Sequence, residues 1–359
     1  MKKLFYKSSI LLLQAIFLLP FSLSAEEVSK EIHKEFNAAS GTNLGINNKY
    51  GDITVESWAN NQIVIDIKVT VALPDKSKAE KLLSYINVQF AEAENSVNAT
   101  TVIDNNFSYT GWGGDSRKFS IDYTIKMPVE ANLLLDNKYG DTNIGELQGL
   151  VNLNIKYGNL DIMKLTRGNV KPLNIVNISY GKASVEDVNW LDITSRYCNM
   201  FEIQNSKALL IDTRYSKFEI TNVSSIVIDA KYDNINIENI NNIVAIGGYT
   251  TFYISQLTKK LNIEVKYGKL AVDKIPSGFE AIDVKADYCS VDLGIDKSAS
   301  YRLNANARYG DVKIDENNFK IEQRIFENTS KELIGLSGTN AATQSKVNVE
   351  ASYGSVTLF

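Results

Sequence analysis

The residues with the most regular spacing are tyrosines, most of them followed by glycine, that recur along the chain. An exposed row of tyrosine rings could bind sugars through apolar stacking. The tyrosines, however, share parity with apolar residues two and four positions earlier, which favours packing at an interior corner. The pattern therefore predicts a structural corner. The tyrosines are Tyr50, Tyr139, Tyr157, Tyr180, Tyr197, Tyr215, Tyr232, Tyr249, Tyr267, Tyr288, Tyr309 and Tyr353.

A basic residue directly precedes eight of these twelve tyrosines. Because side chains alternate along a strand, these residues should point outward and form a positive stripe with about 4.8 Å between steps. Such a stripe could bind an anionic polymer, but acidic neighbours such as Asp161, Glu219 and Glu238 dilute its charge. We therefore expect a solvated face. The basic residues are Lys49, Lys138, Lys156, Arg196, Arg214, Lys231, Lys266 and Arg308.

Aspartates follow three of the Tyr-Gly pairs, at Asp52, Asp141 and Asp311, where their carboxylates could hold calcium. The chain lacks the glycine-rich nonapeptide of calcium-binding repeats, and aspartate favours turns for its own reasons. One histidine and two cysteines leave little material for a zinc site. The sequence therefore predicts no metal and no cofactor.

Catalytic patterns are also missing from the sequence. His33, the sole histidine, lies in a polar segment near the start of the chain, and no Gly-x-Ser-x-Gly or His-Glu-x-x-His motif occurs. A composition of 44% apolar and 22% charged residues is that of a globular chain, and a net charge of −4 gives no reason to expect nucleic acid. We expect a globular protein that is not an enzyme.

The elements that position the tyrosines follow from the same repeat. From Tyr139 to Tyr309, successive tyrosines are 17 to 23 residues apart, and an apolar residue stands four positions before each of the twelve. Each unit reads as a strand, a turn at the Tyr-Gly corner and a second short strand, with no helical pattern. These units predict an all-β fold: a single-column β-solenoid (β-helix) of about twelve short coils of roughly 17–23 residues. Ile228 and Ile263 should point inward, and Asn236 outward.

Four segments are expected along the chain. Residues 1–25 have the basic, apolar and small-residue order of a secretory signal peptide, and no later run is apolar enough to span a bilayer. Residues 26–130 should hold a first coil and a small α/β N-terminal cap with one helix at about 75–87, and Gly111–Gly114 should form a loop. Residues 131–316 should form the solenoid repeats. Residues 317–359 should form a polar excursion and then the final coil.

The two cysteines are expected to be free thiols. Cys198 and Cys289 each follow a repeat tyrosine, and five unit steps separate them. At about 4.8 Å per step they should lie roughly 24 Å apart, whereas a disulfide needs Cα atoms within about 7 Å.

Several stretches give the chain a family resemblance. Residues 43–58 (NLGINNKYGDITVESW), the later NKYGD and IKYGNL copies, and residues 119–128 (FSIDYTIKMP) resemble the putative-adhesin family. This is a family of exported β-strand-repeat proteins of unknown function in Gram-negative envelopes. The resemblance implies the fold and export, but it supplies no catalytic or binding residues.

Our leading hypothesis is a non-enzymatic, adhesin-like binding or structural protein of the cell envelope. Its partner would be an unknown envelope or extracellular macromolecule, protein or glycan, with no nucleic acid involved. The protein would be exported to the periplasm or cell surface of a Gram-negative bacterium. An alternative is a periplasmic structural or signalling partner that is not surface exposed. A polysaccharide-active enzyme would need outward acids clustered on neighbouring coils, which the sequence does not show.

Overall fold

The computed structural model describes residues 26–107, 119–315, 317 and 319–359. The signal peptide predicted at residues 1–25 and the loop predicted at Gly111–Gly114 lie outside the described residues. The chain is all-β, with 71% strand and 3% helix, as the sequence predicts. No helix in the described ranges has the length and apolarity needed to cross a bilayer.

The described strands are β1 (Glu26–Asn37), β2 (Asn43–Lys49), β3 (Ile53–Trp58), β4 (Gln62–Leu73), β5 (Ile86–Ala93), β6 (Ser96–Ile103), β7 (Phe119–Pro128), β8 (Asn132–Lys138), β9 (Thr142–Leu147), β10 (Val151–Lys156), β11 (Leu160–Leu165), β12 (Asn174–Ser179), β13 (Lys182–Arg196), β14 (Met200–Arg214), β15 (Lys217–Lys231), β16 (Asn234–Gly248), β17 (Thr251–Lys266), β18 (Lys269–Ile275), β19 (Ala281–Asp287), β20 (Ser290–Ile295), β21 (Tyr301–Arg308), β22 (Asp311–Lys313), β23 (Phe319–Phe326), β24 (Ser330–Ser337), β25 (Lys346–Ser352) and β26 (Ser355–Leu358). The helix is α1 (Lys76–Ser84).

Equivalent strands of successive units pair parallel and in register. Phe201 of β14 pairs with Phe218 of β15, which pairs with Ile235 of β16 and then with Phe252 of β17. All four side chains are fully buried. Pairing of equivalent residues places each inward side chain on its counterpart in the next unit, so the alternating apolar pattern produces a continuous core.

Most units contribute two strand segments, one after the tyrosine and one before the next. In the middle of the chain the two segments fuse: β13 to β17 are 15 or 16 residues long and run from one tyrosine corner to the next. Ile228 and Ile263 are 2% and 1% exposed, so their predicted inward orientation is confirmed.

The N-terminal end departs from parallel pairing. β1 pairs antiparallel with β4, β4 antiparallel with β7, and β5 antiparallel with β6. The helix α1 lies within the segment where the sequence predicts one; Asp75 caps its N-terminus, and Ala79 packs into the core. His33 belongs to β1, so the segment expected to be a polar leader is a paired strand.

At the C-terminal end, the order of strands in space differs from their order in the chain. The polar excursion predicted within residues 317–359 contains β23 and β24, and β24 pairs antiparallel with β21. The last strands then pair inside the sheet: β25 lies between β19 and β21, and β26 lies between β20 and β22. The final unit of the chain is therefore not the last unit in space, because β24 already occupies the outer edge of β21.

Candidate functional site

The twelve repeat tyrosines form one continuous stack of rings. Neighbouring ring centroids are 4.6 to 5.1 Å apart and neighbouring planes differ by 18° or less. The spacing follows from the distance between paired strands, about 4.7–4.9 Å. We call this row of twelve rings the tyrosine ladder.

The tyrosine ladder lies on the surface, which corrects the prediction of an interior corner. From Tyr157 to Tyr353 its side chains are 39% to 54% exposed, and Tyr50 and Tyr139 are half-buried. The prediction failed because parity along a strand assumes an extended backbone. All twelve tyrosines have φ between 52° and 67°, in the left-handed region, so each side chain turns away from the face that its position indicates.

Hydrogen bonds between units hold these left-handed corners. The backbone N–H of Tyr197 donates to the carbonyl oxygen of Arg214 at 3.0 Å, and that of Tyr215 donates to Lys231 at 3.1 Å. The glycine after the tyrosine lets the backbones of neighbouring corners lie close together. A Cβ atom on Gly158 would lie 1.9 Å from the carbonyl oxygen of Gly140, so no larger side chain fits in that conformation.

Five units carry another residue in place of this glycine, yet their tyrosines keep φ between 53° and 62°. Side chains in these units form hydrogen bonds from one corner to the next. The Cys198 N–H donates to Ser216 Oγ at 3.1 Å, the Ser216 N–H donates to Asp233 Oδ1 at 2.6 Å, and the Asp233 N–H donates to Thr250 Oγ1 at 3.4 Å. Further along, the Gly268 N–H donates to the sulfur of Cys289 at 3.1 Å.

Two of these corner side chains are buried and titratable. Asp233 is 2% exposed, and its burial raises the pKa of the carboxyl group although two backbone N–H groups donate to it. Burial also raises the pKa of the Cys289 thiol. Cys198 and Cys289 are both free, which confirms the prediction of two unpaired thiols. The sequence shows residues other than glycine at these positions, but its pattern gives no sign of their hydrogen bonds.

The basic residues before the tyrosines do not form an uninterrupted stripe. Strand pairing brings Ser179, Gly248, Asp287 and Ser352 into the same row. The ammonium groups of Lys138, Lys156 and Lys231 lie 5.0 to 5.4 Å from the centroid of the following tyrosine ring, within cation–π range.

Other members of this basic row are paired with acidic side chains. Arg196 lies 2.9 Å from Asp212, and Arg214 lies 3.0 Å from both Asp212 and Asp229. Lys266 lies 3.5 Å from Glu264, and Arg308 is exposed at the far end of the row. Acidic neighbours therefore compensate the charge of Arg196, Arg214 and Lys266 within this row.

The aspartates after the Tyr-Gly pairs accept hydrogen bonds from other units. The Asp52 carboxylate accepts the N–H of Asp141 at 2.8 Å, and the Asp141 carboxylate accepts the N–H of Asn159 at 2.8 Å. A 2.6 Å hydrogen bond from Lys331 lowers the pKa of Asp311. Among the described residues, no group of three or more His, Cys, Asp or Glu side chains could hold a metal ion.

The histidine lies on the surface of β1 between two carboxylates. His33 Nδ1 is 2.6 Å from Asp66 and its Nε2 is 3.1 Å from Glu35. These hydrogen bonds, that of Asp66 first, raise the pKa of the imidazole. The three side chains are more than half exposed and adjoin none of the tyrosines of the ladder.

A short row of exposed apolar side chains crosses the strands that end at the tyrosine ladder. Leu210, Val227 and Val244 pair with one another on adjacent strands and are 40%, 50% and 48% exposed. Ile246, two residues further along the last of these strands, is 57% exposed. Leu210, Val227 and Val244 each stand five residues before a tyrosine of the ladder, at a position that is polar in several other units. The sequence analysis did not identify this apolar row.

Comparison with known proteins gave matches among solved structures only. No family model and no curated protein matches the chain. A putative adhesin from Parabacteroides distasonis ATCC 8503 is 11% identical over 74% of this chain and 97% of its own, with a TM-score of 0.33. A putative cell adhesion protein from Clostridium sporogenes ATCC 15579 is 12% identical over 92% and 99%, with a TM-score of 0.20.

A third structure, a putative lipid binding protein from Parabacteroides distasonis ATCC 8503, is 8% identical over 92% of this chain and 97% of its own, with a TM-score of 0.31.

Proposed function

We propose that this chain is a non-enzymatic, adhesin-like binding protein of the cell envelope of a Gram-negative bacterium. In this proposal it is an exported single-column β-solenoid of about twelve coils, built on the Tyr-Gly-Asp repeat. It binds an envelope or extracellular macromolecule, protein or glycan, along the tyrosine ladder. The observation that carries the proposal is the ladder itself: twelve half-exposed rings held in one row.

The backbone energetics support a role for the rings beyond folding. A left-handed conformation costs a residue with a side chain roughly 1–2 kcal/mol, whereas glycine adopts it freely and asparagine tolerates it. A stacked aromatic pair returns about 0.5–1.5 kcal/mol. Stacking therefore offsets the cost of tyrosine without giving it a clear advantage over glycine. Backbone strain of this kind is concentrated at functional sites.

The geometry of the stack determines which part of a tyrosine a partner can reach. Because neighbouring rings are about parallel and 4.6 to 5.1 Å apart, the ring faces along the row are covered by other rings. The ring edges and hydroxyl groups remain exposed. A partner would therefore receive a row of regularly spaced hydroxyl hydrogen bonds, and would not stack on the ring faces.

The apolar row on the strands that end at the tyrosine ladder adds a second kind of contact. Leu210, Val227, Val244 and Ile246 give three neighbouring strands exposed apolar side chains. Contiguous exposed apolar side chains are typical of surfaces that bind other macromolecules. An extended partner lying along the stack would contact several units at once, and its affinity would grow with the number of units.

Conservative substitutions in the full chain test the binding role. We expect Tyr→Phe at Tyr197, Tyr215, Tyr232 and Tyr249 together to preserve the stack and the free energy of unfolding while weakening binding to isolated cell envelopes. Tyr253→Phe is the matched control, because Tyr253 is a surface tyrosine outside the ladder, 38% exposed. Equal binding by both variants would refute the ladder as the binding surface.

Protease treatment of intact cells tests the location. An adhesin-like protein should be cleaved on intact cells, with the fragments detected by an antibody against the chain. Protection until the outer membrane is breached would refute surface exposure and would support the periplasmic structural or signalling alternative. A periplasmic marker protein that stays intact throughout is the control.

A further inference from the structure

A groove crosses the fused strands β13 to β17 between successive tyrosine corners. Its volume is about 350 Å³, and Asn222, which lines it, stands seven residues after Tyr215. The register of neighbouring strands is interrupted at this place, because Lys207, Ser224 and Asn241 are left out of the pairing between equivalent residues. The groove therefore marks a break in the strand ladder and is separate from the tyrosine ladder.

One wall of the groove is a row of hydrogen-bonded asparagines. Asn239 Nδ2 donates to Asn222 Oδ1 at 3.1 Å, and Asn222 Nδ2 donates to Asn205 Oδ1 at 3.1 Å. A side-chain amide has two N–H donors and a carbonyl oxygen with two lone pairs, so the row uses one donor and one lone pair of Asn222. The other donor and lone pair can bond to a ligand, and the amides are held in place before it arrives.

The opposite wall of the groove offers hydroxyl and amide groups. Ser224, Asn241 and Thr258 form this wall, where Thr258 Oγ1 donates to Asn241 Oδ1 at 2.7 Å. The buried side chains of Val223 and Ile240 separate the two walls. We call this site, with its two polar walls, the amide groove.

The amide groove carries little charge. Of the thirteen residues that line it, eight have an amide or hydroxyl side chain, and the charged ones are Asp187 and Lys207, one of each sign. A single lysine beside an aspartate gives little hold on phosphate, sulfate or carboxylate groups, which arginine or lysine clusters bind. The lining therefore suits a neutral ligand that is rich in hydroxyl and amide groups.

We propose that the amide groove binds a neutral glycan chain built from N-acetylated amino sugars. Each such sugar carries hydroxyl groups and one acetamido group, whose N–H donor and carbonyl acceptor complement those of an asparagine side chain. The acetamido groups bond to the asparagine row, and the sugar hydroxyls bond to the opposite wall. A chain lying across the strands meets an equivalent set of groups about every 4.8 Å, so several sugars bind at once. This site goes beyond the function proposed above, which rests on the tyrosine ladder.

Calorimetric titration of the full chain with two oligosaccharides tests the ligand. The probe is the hexamer of N-acetylglucosamine linked as in chitin. The matched ligand is the hexamer of glucose linked as in cellulose, which has a hydroxyl group in place of each acetamido group. We expect the probe to bind and the glucose hexamer to bind about tenfold more weakly or less, because lost acetamido contacts leave groove amides unpaired. No binding of the probe, or equal affinity for both hexamers, overturns the proposal.

Substitution of two asparagines tests the location. Asn222→Leu with Asn239→Leu removes the amides at nearly constant volume and should weaken binding of the probe about tenfold or more. Asn154→Leu with Asn262→Leu is the matched control, because both asparagines are exposed and neither lines the groove. Circular dichroism and urea denaturation verify that both variants are folded. Equal affinity of the two folded variants for the probe overturns the assignment of the groove.

A bulky side chain on the opposite wall is a second test, because it leaves the asparagine row intact. Ser224 is exposed, so Ser224→Trp should fill the groove without entering the core, and binding of the probe should be lost. Full affinity in this variant, with the circular dichroism of the full chain, would overturn the proposal. The joint Tyr→Phe variant of the ladder should bind the probe unchanged, which distinguishes failure of this site from failure of the tyrosine ladder.

Discussion

Substitutions at Tyr215 test whether the tyrosine ladder is held in a left-handed backbone conformation. Tyr215 has φ of 57°, and its ring lies 4.9 Å from Tyr197 and 4.8 Å from Tyr232. Tyr215→Ala and Tyr215→Gly remove the same two ring contacts. The two variants differ in the cost of the backbone conformation, so comparing them isolates that cost.

The structure gives the expected magnitudes. Loss of two stacked pairs, at about 0.5–1.5 kcal/mol each, destabilises both variants by about 1–3 kcal/mol. Alanine keeps the left-handed penalty of roughly 1–2 kcal/mol, which glycine relieves. The greater freedom of glycine in the unfolded chain offsets about 0.4–1 kcal/mol of that relief. We therefore expect the alanine variant to be less stable than the glycine variant by about 1 kcal/mol.

Urea denaturation of the full chain, followed by circular dichroism, measures this difference. Tyr253 provides the control, because it lies inside β17 and its φ is not among the positive values. In a strand interior glycine is worse than alanine by roughly 0.5–1 kcal/mol, so the order of the two variants should reverse there. An alanine variant at Tyr215 as stable as the glycine variant would refute the left-handed corner.

Three further predictions concern the core and the corners. Ile228→Asp should lower the free energy of unfolding by several kcal/mol, because it buries an unpaired carboxylate. Val227→Asp, on the exposed face, should lower it by about 1 kcal/mol or less. Equal urea midpoints for the two variants would contradict the inward orientation of Ile228. The pKa of the Asp233 carboxyl group is higher in the folded state than in the unfolded chain, where it is about 4. Its contribution to the free energy of unfolding is therefore fully present below about pH 4 and is lost as the pH rises through the folded-state pKa. Asp233→Asn should therefore reduce the fall in the free energy of unfolding between acid and neutral pH, measured by urea denaturation. An unchanged pH dependence of the free energy of unfolding would refute this role of Asp233. Gly158→Ala should cost about 1–3 kcal/mol from contact with the neighbouring carbonyl, whereas Gly168→Ala, with no atom within 4 Å of the added Cβ, should cost clearly less in thermal unfolding.

The sequence alone determined the strands of the repeat units and the residues that form their core. Alternation of side chains is a local property of an extended chain, so the apolar positions could be read without knowing which strands pair. The inward orientation of Ile228 and Ile263 followed from it. The free state of Cys198 and Cys289 also followed, because the number of repeat steps fixes their separation.

Only the tertiary structure decided what happens at the corners. One residue in the left-handed region reverses the direction that parity predicts, and nothing in the tyrosine side chain reports the φ value its neighbours impose. Tyrosines expected inside therefore form a surface row. The surroundings of Asn236 also depend on the tertiary structure. Parity places its side chain outward, and in the fold it donates a hydrogen bond to Glu219 at 2.8 Å. An aspartate at this position would therefore face a carboxylate on the neighbouring strand.

The order of the last units was likewise beyond the sequence. Every unit presents nearly the same pattern of inward residues. The residues of β25 alone therefore do not indicate which unit it pairs with. Its position is decided by β24, which pairs antiparallel with β21 and leaves only the side facing β19 for the final strand. Local patterning specifies which residues form strands and which face they bury, whereas competition for strand edges, a long-range property, decides where each strand lies.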